Sequence, residues 1–568
     1  MRLPRLPFVL LAALAAALPA GPARAATFFV GPVGAGCTHS TLAEAIAAAN
    51  ANGTAFDWIY LTRDESFIGP LGVNGHLGIR GGTLSCGSTT RSGRTRLSVL
   101  DGSALSIGSY LVDVDGVDFE HLAASGLDER LITANGSFNL YLRHVRLRGG
   151  HARWGGNLRL SGSSTSSATL EDVEVSGGTA TEFGGGIYCE GPMILRWTAP
   201  VDIVGNHALR NGGGVALGGG CRLDATAGSS SPATDIYIRS NTADQAGGGI
   251  YLTDQAVSFD PAASSATLRG AGGFTAIFGN QAVVGGGAYL SSFDDPYADT
   301  RLNLVNVQLW VNAAQSMGGG VYGVGRSAIL IDREGSVCPS GRCSVVSGNN
   351  ARGSRPHPWI FDQTTGQGGA FFLENGAKLT LRQTWVERSQ SLNGASVLAT
   401  YGFGSRVDAE GVAFFANQGS PTAAAISSGS APLRLAFVSS AGNLTASTHR
   451  LVSGGPVEIY SSVFGESWPN VLGVAGSSTI DCVIVPAASA LPSTASAVRE
   501  VANPALLFVD PANGNLHLRA GSPAVDYCDS YFYTPVDQDI DGQARGMDSP
   551  GVIDYYGPYD IGADELVP

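Results

Sequence analysis

Four aspartates near the C-terminus have the spacing of a calcium-binding loop: Asp537, Asp539, Asp541 and Asp548. Alternate carboxylates can converge on one hard cation, and the glycine after the third aspartate allows the loop to turn. The twelfth position of the loop holds aspartate instead of the usual glutamate, and no flanking helices are evident. Alternatively, Asp541-Gly542 forms a turn and Arg545 pairs with a neighbouring aspartate. Two interpretations therefore stay open, a Ca²⁺ site and a salt-bridged turn.

Aromatic residues follow several of the glycine clusters and form a second candidate site: Tyr188, Tyr251, Tyr289, Tyr322 and Phe371. Each is predicted at the second position after its glycines. Aliphatic neighbours would face inward, so the rings are expected on the outer face of one sheet. A row of exposed rings could stack against sugars. Alternatively, the rings stack on one another, with Ala216 as a missing step, and stabilise the sheet without any ligand. We favour this second interpretation.

A third candidate set lies in a long insertion between residues 326 and 367: Arg352, Arg355, His357 and Trp359. A polysaccharide lyase needs a base beside a uronate and a cation that neutralises its carboxylate. A glycoside hydrolase needs two carboxylates, which the loop pair Asp294-Asp295 could offer. The same residue types also pack or solvate ordinary loops, so the sequence assigns no catalytic residue.

Other catalytic signatures are missing from the sequence. It has no G-x-S-x-G nucleophile elbow, no H-E-x-x-H zinc motif and no P-loop. No pair among its nine histidines has zinc-ligand spacing. The glycine clusters precede apolar strands and not helix N-termini, which argues against phosphate binding.

Short repeated strands must position these residues. Glycine clusters recur at intervals of roughly 25 to 50 residues, beginning at Gly155, Gly184, Gly212, Gly247, Gly285, Gly318 and Gly368. The runs that follow them alternate in character, as in Ile250-Tyr251-Leu252. A unit this small buries its apolar face only by stacking on its neighbours. The sequence therefore predicts an all-β fold, a right-handed parallel β-helix of roughly fourteen to sixteen coils.

Asparagines five or six residues before the glycines mark a second corner of each coil: Asn206, Asn241, Asn280 and Asn312. Asparagine tolerates a tight corner, and stacked amide groups can hydrogen-bond from coil to coil. The glycines supply positive φ and avoid a side chain where coils lie about 4.8 Å apart.

The chain divides into four predicted segments. Residues 1–25 have the charged start, apolar centre and cleavage site of a secretory signal peptide. Residues 26–100 contain an N-terminal cap, in which Thr41 and Glu44 form a capping box for a short helix. Residues 101–500 carry the repeats, and residues 501–568 are expected to cap the other end of the stack.

Charge and cysteine content restrict the compartment and the partners. Loss of three arginines with the signal peptide takes the formal charge from −13 to −16, which disfavours nucleic acid as a partner. No later segment is apolar over some twenty residues, so no transmembrane segment is predicted. Eight cysteines in an exported chain favour disulfides, and proximity suggests pairing Cys37 with Cys86, Cys189 with Cys221, Cys338 with Cys343, and Cys482 with Cys528.

Several stretches resemble families of exported bacterial proteins. Phe414-Phe415-Ala416-Asn417 and the glycine clusters resemble the polymorphic outer membrane protein repeat over about residues 150 to 420. The C-terminal motifs GSPAVD, DIDGQAR and DIGADE resemble the choice-of-anchor Q domain, which lies at the end of such β-helix proteins. The helix and strand near residue 50 look like the cap of the pectate-lyase-like group. These resemblances imply a secreted β-helix and no particular catalytic residue.

The sequence therefore favours a non-enzymatic role outside the cytoplasm. We expect an adhesin-like surface or extracellular protein that presents a binding face to a carbohydrate or a protein. The alternative is a polysaccharide lyase or glycoside hydrolase of pectate-lyase-like fold. No cofactor is certain from the sequence, although Ca²⁺ is a candidate.

Overall fold

Short strands stack in register and wind the chain into a right-handed parallel β-helix, which confirms the predicted all-β fold. The computed structural model describes residues 24–32, 36–53, 55–123, 126, 128–227, 235–293, 299–335, 342–358, 365–443, 450–468, 471–487, 491–529 and 537–567. A typical coil contributes strands to three long sheets, called here sheets 1, 2 and 3. A corner of one or a few residues separates one sheet from the next.

Sheet 3 is a parallel sheet of fourteen described strands, a number within the predicted range of coils. It carries the aromatic row. Its strands are Leu71–Val73, Leu105–Ile107, Ile132–Gly136, Leu158–Gly162, Ile187–Glu190, Val215–Gly218, Ile250–Thr253, Ala288–Ser292, Val321–Gly325, Phe371–Glu374, Leu398–Tyr401, Ile426–Ser427, Val452–Gly454 and Leu472–Val474.

Sheet 1 has twenty-seven described strands because most coils contribute two arms to it. Its strands are Thr27–Val30, Asp57–Leu61, Glu65–Ile68, Leu77–Arg80, Thr95–Asp101, Leu111–Asp115, Val117–His121, Asn139–Arg148, Ser167–Ser176, Ile194–Val204, Arg222–Ala227, Ile236–Arg239, Ser265–Gly270, Thr275–Phe278, Thr300–Val305, Gln308–Trp310, Ser327–Asp332, Ser344–Ser347, Lys378–Arg382, Thr384–Glu387, Arg406–Glu410, Ala413–Phe415, Leu433–Ala436, Ser439–Ala441, Val457–Phe464, Thr479–Val485 and Ser496–Glu500. The arms meet at a single left-handed residue in several coils, for example Asn306 or Gln383.

Sheet 2 is the smallest of the three, with nine described strands. They are Asp128–Glu129, His151–Trp154, Thr179–Phe183, His207–Ala208, Thr242–Ala243, Gln281–Val284, Ala313–Met317, Asn350–Ala351 and Gln390–Ser391. Outside the stack, Phe508–Asp510 and Asn515–Leu518 form an antiparallel pair after a short 3-10 helix at Pro504–Leu506.

Ladders of aliphatic side chains fill the interior. Along sheet 3, Ile187, Val215, Ile250, Ala288 and Val321 lie one above another, and all are fully buried. Burial of one large aliphatic side chain stabilises a fold by about 1.5–3 kcal/mol. Repetition of this small gain from coil to coil stabilises units that could not fold alone.

The predicted asparagine corner is a continuous hydrogen-bonded ladder between sheets 1 and 2. The Nδ2 atom of Asn206 donates to Oδ1 of Asn241, and Asn241 donates in the same way to Asn280, each over 3.0 Å. Asn280, Asn312 and Asn349 continue the series at the same spacing. These side chains are almost completely buried, so each amide satisfies groups that no water reaches.

The glycine corners lie between sheets 2 and 3, where successive coils approach most closely. A Cβ atom on Gly286 would lie 2.5 Å from the backbone oxygens of Ala313 and Gly319 in the next coil. The first glycine of the cluster, Gly285, has φ +63°, which disfavours a side chain for a different reason. Both predicted reasons for glycine therefore apply within one corner.

The N-terminal cap is the predicted helix, Leu42–Ala51. Thr41 Oγ1 accepts from the Glu44 amide, and the Glu44 carboxylate accepts from the Thr41 amide, which completes the capping box. Leu42, Ala45 and Ile46 bury one face of the helix against the first coils.

Three of the predicted disulfides are present: Cys37 with Cys86, Cys189 with Cys221, and Cys482 with Cys528. The fourth involves Cys338, which lies outside the described residues, as does most of the predicted signal peptide. Among the helices of the described residues, none is long and apolar enough to cross a membrane.

The C-terminal segment packs along the flank of the stack, whereas the sequence alone suggests a cap across its end. Gln383 Nε2 donates to the backbone oxygen of Asp539 over 2.7 Å, and the amide of Ala563 donates to Ser439 Oγ over 2.8 Å. Leu507, Phe508, Leu516, Tyr527 and Ile561 cover outward-facing apolar residues of sheet 1. A second hydrophobic core therefore forms outside the coil.

Candidate functional site

The aromatic row on sheet 3 has the predicted order with one correction. Tyr289 pairs with Tyr322 in the next coil, and Tyr322 pairs with Phe372, not Phe371. Phe371 instead pairs with Val321 and faces the interior, where it is fully buried. Ala370 takes the place of a third glycine in this coil, so the position predicted for the ring falls one residue too early. The row is therefore Tyr188, Ala216, Tyr251, Tyr289, Tyr322 and Phe372.

The rings of this row stack on one another. Centroid distances are 5.4 Å from Tyr251 to Tyr289, 5.2 Å from Tyr289 to Tyr322, and 5.0 Å from Tyr322 to Phe372. At the missing step, Phe183 of sheet 2 lies 6.1 Å from Tyr188 and 6.0 Å from Tyr251. Neighbouring side chains cover the ring faces, and no ring of the row is more than 9% exposed. The stacked-ring interpretation is thus confirmed, and the row offers no open platform for sugars.

A cleft of about 340 Å³ opens beside the edges of these rings. Its walls are Tyr251, Gln255, Tyr289, Ser291, Phe293, Tyr322, Val324, His357 and Glu374. They come from the outward side of sheet 3, from the residues Gln255 and Phe293 that follow two of its strands, and from the loop that carries His357 over it. The volume lies within the range of small-molecule sites, and the walls combine aromatic surface with a few polar groups.

Three hydrogen-bonded side chains lie at one end of the cleft. The Tyr322 hydroxyl donates to Glu374 Oε2 and lies 3.0 Å from His357 Nε2. Asn375 Nδ2 donates to the other oxygen of Glu374 over 2.9 Å. The chain Glu374–Tyr322–His357 thus connects a carboxyl group, a phenol and an imidazole through one hydroxyl.

Burial changes the ionisation of all three groups. It raises the pKa of the Tyr322 phenol well above its usual value, and the Glu374 charge adds to this increase. It also raises the pKa of Glu374, although the hydrogen bond from Tyr322 opposes the change. Burial lowers the pKa of His357 to about 4. At neutral pH the imidazole is therefore uncharged and the phenol is protonated.

Phe293 contributes the exposed aromatic surface of the cleft. The side chain follows the strand Ala288–Ser292 and is 61% exposed. One edge of its ring rests on Gly325, where an added Cβ atom would lie 3.1 Å from Cδ1 and Cε1. Phe293 therefore gives the cleft the accessible ring that the buried row lacks.

The structure brings together only part of the third predicted set. His357 is buried in the cleft, whereas Arg352 and Arg355 are exposed and do not line it. The amides of Arg352 and Arg355 donate to the backbone oxygens of Ala314 and Gln315. Trp359 and the pair Asp294-Asp295 lie outside the described residues.

Sequence reasoning did not identify Glu374 or Phe293. Glu374 occupies the same outward row as Thr253, Ser291 and Val324, two residues after Phe372. Strand periodicity could have placed it there, but the one-residue error at Phe371 assigns Glu374 to the wrong face. No repeat feature signals Phe293, because it lies beyond the end of its strand.

The four aspartates of the predicted calcium loop do not converge, so the predicted ligand set is corrected. Asp539 is fully buried and accepts hydrogen bonds from three backbone amides, those of Asp541, Gln543 and Glu565. Asp541 Oδ2 lies 2.6 Å from His517 Nε2. Asp537 is exposed, and Asp548 approaches a different pair of aspartates. Arg545 donates to the backbone oxygen of Ala563 over 2.8 Å and covers the ring of Phe437.

Two other groups of side chains in the described residues could hold a metal ion: His517, Asp541 and Asp564, and Asp526, Asp548 and Asp554. The ligand atoms of each group lie within 4.8 Å of one another. In the first group, Asp564 also accepts a hydrogen bond from the Leu518 amide over 2.6 Å. In the second, Asp526 accepts from the Ser549 amide.

No protein-family model matches this chain, and no curated protein matches it in sequence.

Proposed function

We propose that the protein is exported and binds carbohydrate in the cleft beside Phe293, Tyr322 and Glu374, without cleaving it. The observation that carries this proposal is the accessible Phe293 ring beside a cluster of hydrogen-bonding side chains in a preformed cleft. An aromatic surface can cover a sugar ring, and hydroxyl, amide and carboxyl groups can bind its hydroxyls.

Two further features favour this role. The N-terminal 25 residues have the pattern of a signal peptide, and three disulfides fit an oxidising compartment. A rigid coil can also present a cleft at a fixed position on a surface. The motif resemblances to polymorphic outer membrane protein repeats and to the choice-of-anchor Q domain agree with an adhesin-like surface protein, and we propose that assignment as well.

A binding assay with a matched pair of variants tests the proposal. The purified chain would be titrated calorimetrically with a panel of soluble oligosaccharides, next to Phe293→Ala and Tyr555→Ala. The two side chains are equally exposed, at 61% and 62%, but Tyr555 belongs to the C-terminal segment. We expect Phe293→Ala to weaken binding about tenfold or more while Tyr555→Ala binds normally. Binding that is absent throughout the panel, or equal in all three proteins, would refute the proposal.

A second candidate function is cleavage of a uronate-containing polysaccharide, favoured by the chain Glu374–Tyr322–His357. The Glu374 carboxylate can remove the proton next to the uronate carboxylate. The C4–oxygen bond breaks, its electron pair leaves with the oxygen, and that oxygen takes a proton from the Tyr322 hydroxyl, which regains one from Glu374 through their hydrogen bond. The product would be an unsaturated sugar that absorbs in the ultraviolet.

Absorbance assays on uronate polymers separate the two candidates. Enzymatic cleavage predicts an increase in absorbance that Tyr322→Phe abolishes and Phe293→Ala reduces. Non-enzymatic binding predicts no increase with any polymer, even where calorimetry detects an interaction.

A further inference from the structure

A second, smaller cavity adjoins the cleft on the same face of sheet 3. This notch has a volume of about 80 Å³, and its walls include Ala216, Tyr251, Thr253, Gln255 and Val257. Tyr251 and Gln255 line both the notch and the cleft. The two cavities therefore adjoin at a shared wall and lie one after the other along the coil axis; together they are called here the groove.

The notch exists because one step of the aromatic row has no ring. Ala216 pairs with Tyr188 on one side and Tyr251 on the other. Phe183 fills only part of the space, at about 6 Å from each tyrosine ring. Val257 lies at the mouth and is 44% exposed, so the notch opens to solvent.

The distance from the notch to the Tyr322 hydroxyl indicates how long a ligand must be to reach both. Ala216, Tyr251, Tyr289 and Tyr322 are successive steps of the row. Three coil spacings separate the notch from the hydroxyl of Tyr322, a distance of about 14 Å. A single sugar ring is too short to reach both ends, whereas a short linear chain can do so.

The charges along the groove select against acidic ligands. Among the lining residues that the structure describes, none is a lysine or an arginine, and Glu374 is the one carboxylate. Because burial lowers the pKa of His357 to about 4, the imidazole adds no positive charge at neutral pH. The whole chain also carries a formal charge of −13. A polyuronate would meet repulsion here and no compensating ion pair.

We infer that the cleft and the notch are two subsites of one groove, and that its ligand is an uncharged linear oligosaccharide lying along the coil axis. The inference rests on the proposed carbohydrate-binding function. It also opposes the uronate-cleavage alternative, because an uncharged ligand has no carboxylate next to the proton to be removed.

Calorimetric titrations with two matched ligand series test this inference. One series contains neutral cello-oligosaccharides of two to six units, and the other contains oligogalacturonides of the same lengths. The proteins are the wild type, Ala216→Leu, which fills the notch from within, and Val257→Tyr, which blocks its mouth from an exposed position. Val509→Tyr, at a site 56% exposed in the C-terminal segment, is the control. Melting temperatures show which variants are folded.

For the wild type, we expect affinity for the neutral series to rise about tenfold as the chain becomes long enough to reach the notch. Ala216→Leu and Val257→Tyr should lose this increase but still bind the shortest member, and Val509→Tyr should behave as the wild type. Equal binding of oligogalacturonides, or a length dependence that persists in both notch variants, would overturn the inference while leaving cleft binding intact. If no sugar of either series binds, both the inference and the proposed function fail.

Discussion

Asn443 donates a hydrogen bond from Nδ2 to Oε1 of Glu466 over 2.8 Å, in a short run of buried asparagines that begins at Asn417, after Ser389 interrupts the ladder. The backbone N–H of Asn443 also donates to Oε2 of the same carboxyl group. Asn417 Nδ2 donates in turn to Asn443 Oδ1. Glu466 is fully buried. This short run of neutral amides therefore ends on an ionisable group that the solvent does not reach.

The position of Glu466 predicts a pH dependence of stability. Burial raises the pKa of its carboxyl group to about 7, although hydrogen bonds from Asn443 oppose the increase. The folded state thus binds more protons than the unfolded state between about pH 4.5 and 7, so the free energy of unfolding falls as pH rises through this range. Glu466→Gln should remove this component. Urea unfolding at about pH 5 and pH 8 measures it.

Glu458→Gln is the control for this prediction, because Glu458 is exposed on a nearby strand. It should keep the pH dependence of the wild type. A Glu466→Gln protein whose unfolding free energy changes with pH as steeply as that of the wild type would contradict the argument.

The interior of the asparagine ladder predicts a large loss of stability when one member is removed. Asn280 donates to Asn312 Oδ1 and to the backbone oxygen of Ile238, and it accepts from the Asn241 side chain. Asn280→Ala leaves several buried groups without partners, so we expect a loss of about 3 kcal/mol. Urea unfolding monitored by circular dichroism gives the value.

Asn303→Ala provides the matched comparison. Asn303 lies on a neighbouring strand, is only partly buried, and makes a single 3.2 Å hydrogen bond to Thr267 Oγ1. This variant should lose less than about 1 kcal/mol. Equal losses in both variants would show that the ladder contributes nothing beyond an ordinary surface hydrogen bond.

Substitution of two glycines, Gly279 and Gly286, should separate the stability cost of steric crowding between coils from the cost of a left-handed backbone conformation. Gly279 has φ +65°, but the nearest heavy atom to an added Cβ would be 3.7 Å away. Gly279→Ala should therefore cost about 1–2 kcal/mol through the backbone alone. At Gly286 the added Cβ would lie 2.5 Å from backbone atoms of the next coil, so Gly286→Ala should cost more than about 3 kcal/mol.

Thermal and urea unfolding of both glycine variants check this order. If the Gly286→Ala protein is as stable as the Gly279→Ala protein, the coils can separate locally at little cost. That result would contradict the close packing proposed for the glycine corner.

The repeat could be predicted because its determinants are local in sequence. Asn280 and Gly286 have to be asparagine and glycine for reasons of backbone shape and coil spacing that recur in several units. Prediction from the repeat was wrong at Phe371. Ala370 replaces the third glycine there, so the aromatic row continues at Phe372, one residue later than predicted. A single substitution at the corner is enough to reverse the face assigned to a ring.

The cleft and the C-terminal packing depend on contacts that are distant in sequence. His357 and Glu374 meet at the Tyr322 hydroxyl only because a loop returns over sheet 3. The flank of sheet 1 did carry a signal in the sequence, since the strand Ala413–Phe415 is apolar at every position and therefore on both faces. Burial on both faces requires a covering segment, but the sequence does not specify which segment supplies it.

The hydrogen bond from the Tyr322 hydroxyl influences the pKa of Glu374. The hydroxyl donates to the carboxylate and lowers the pKa of Glu374, whereas burial raises it. Tyr322→Phe removes the donor but keeps the stacked ring. The pKa of Glu374 should therefore rise further. The free energy of unfolding falls as pH increases through that pKa, and this fall should become larger in the variant.

Carbon-13 NMR titration of the glutamate carboxyl groups measures this change in Tyr322→Phe, with Glu374→Gln used to assign the signal. Tyr251→Phe is the control, because Tyr251 stands two steps away in the row and its hydroxyl bonds to Thr253 and Ser291. It should leave the titration of Glu374 unchanged. An unaltered or lower pKa of Glu374 in Tyr322→Phe would mean that the hydroxyl does not stabilise the carboxylate, and the hydrogen-bonded chain in the cleft would lose its basis.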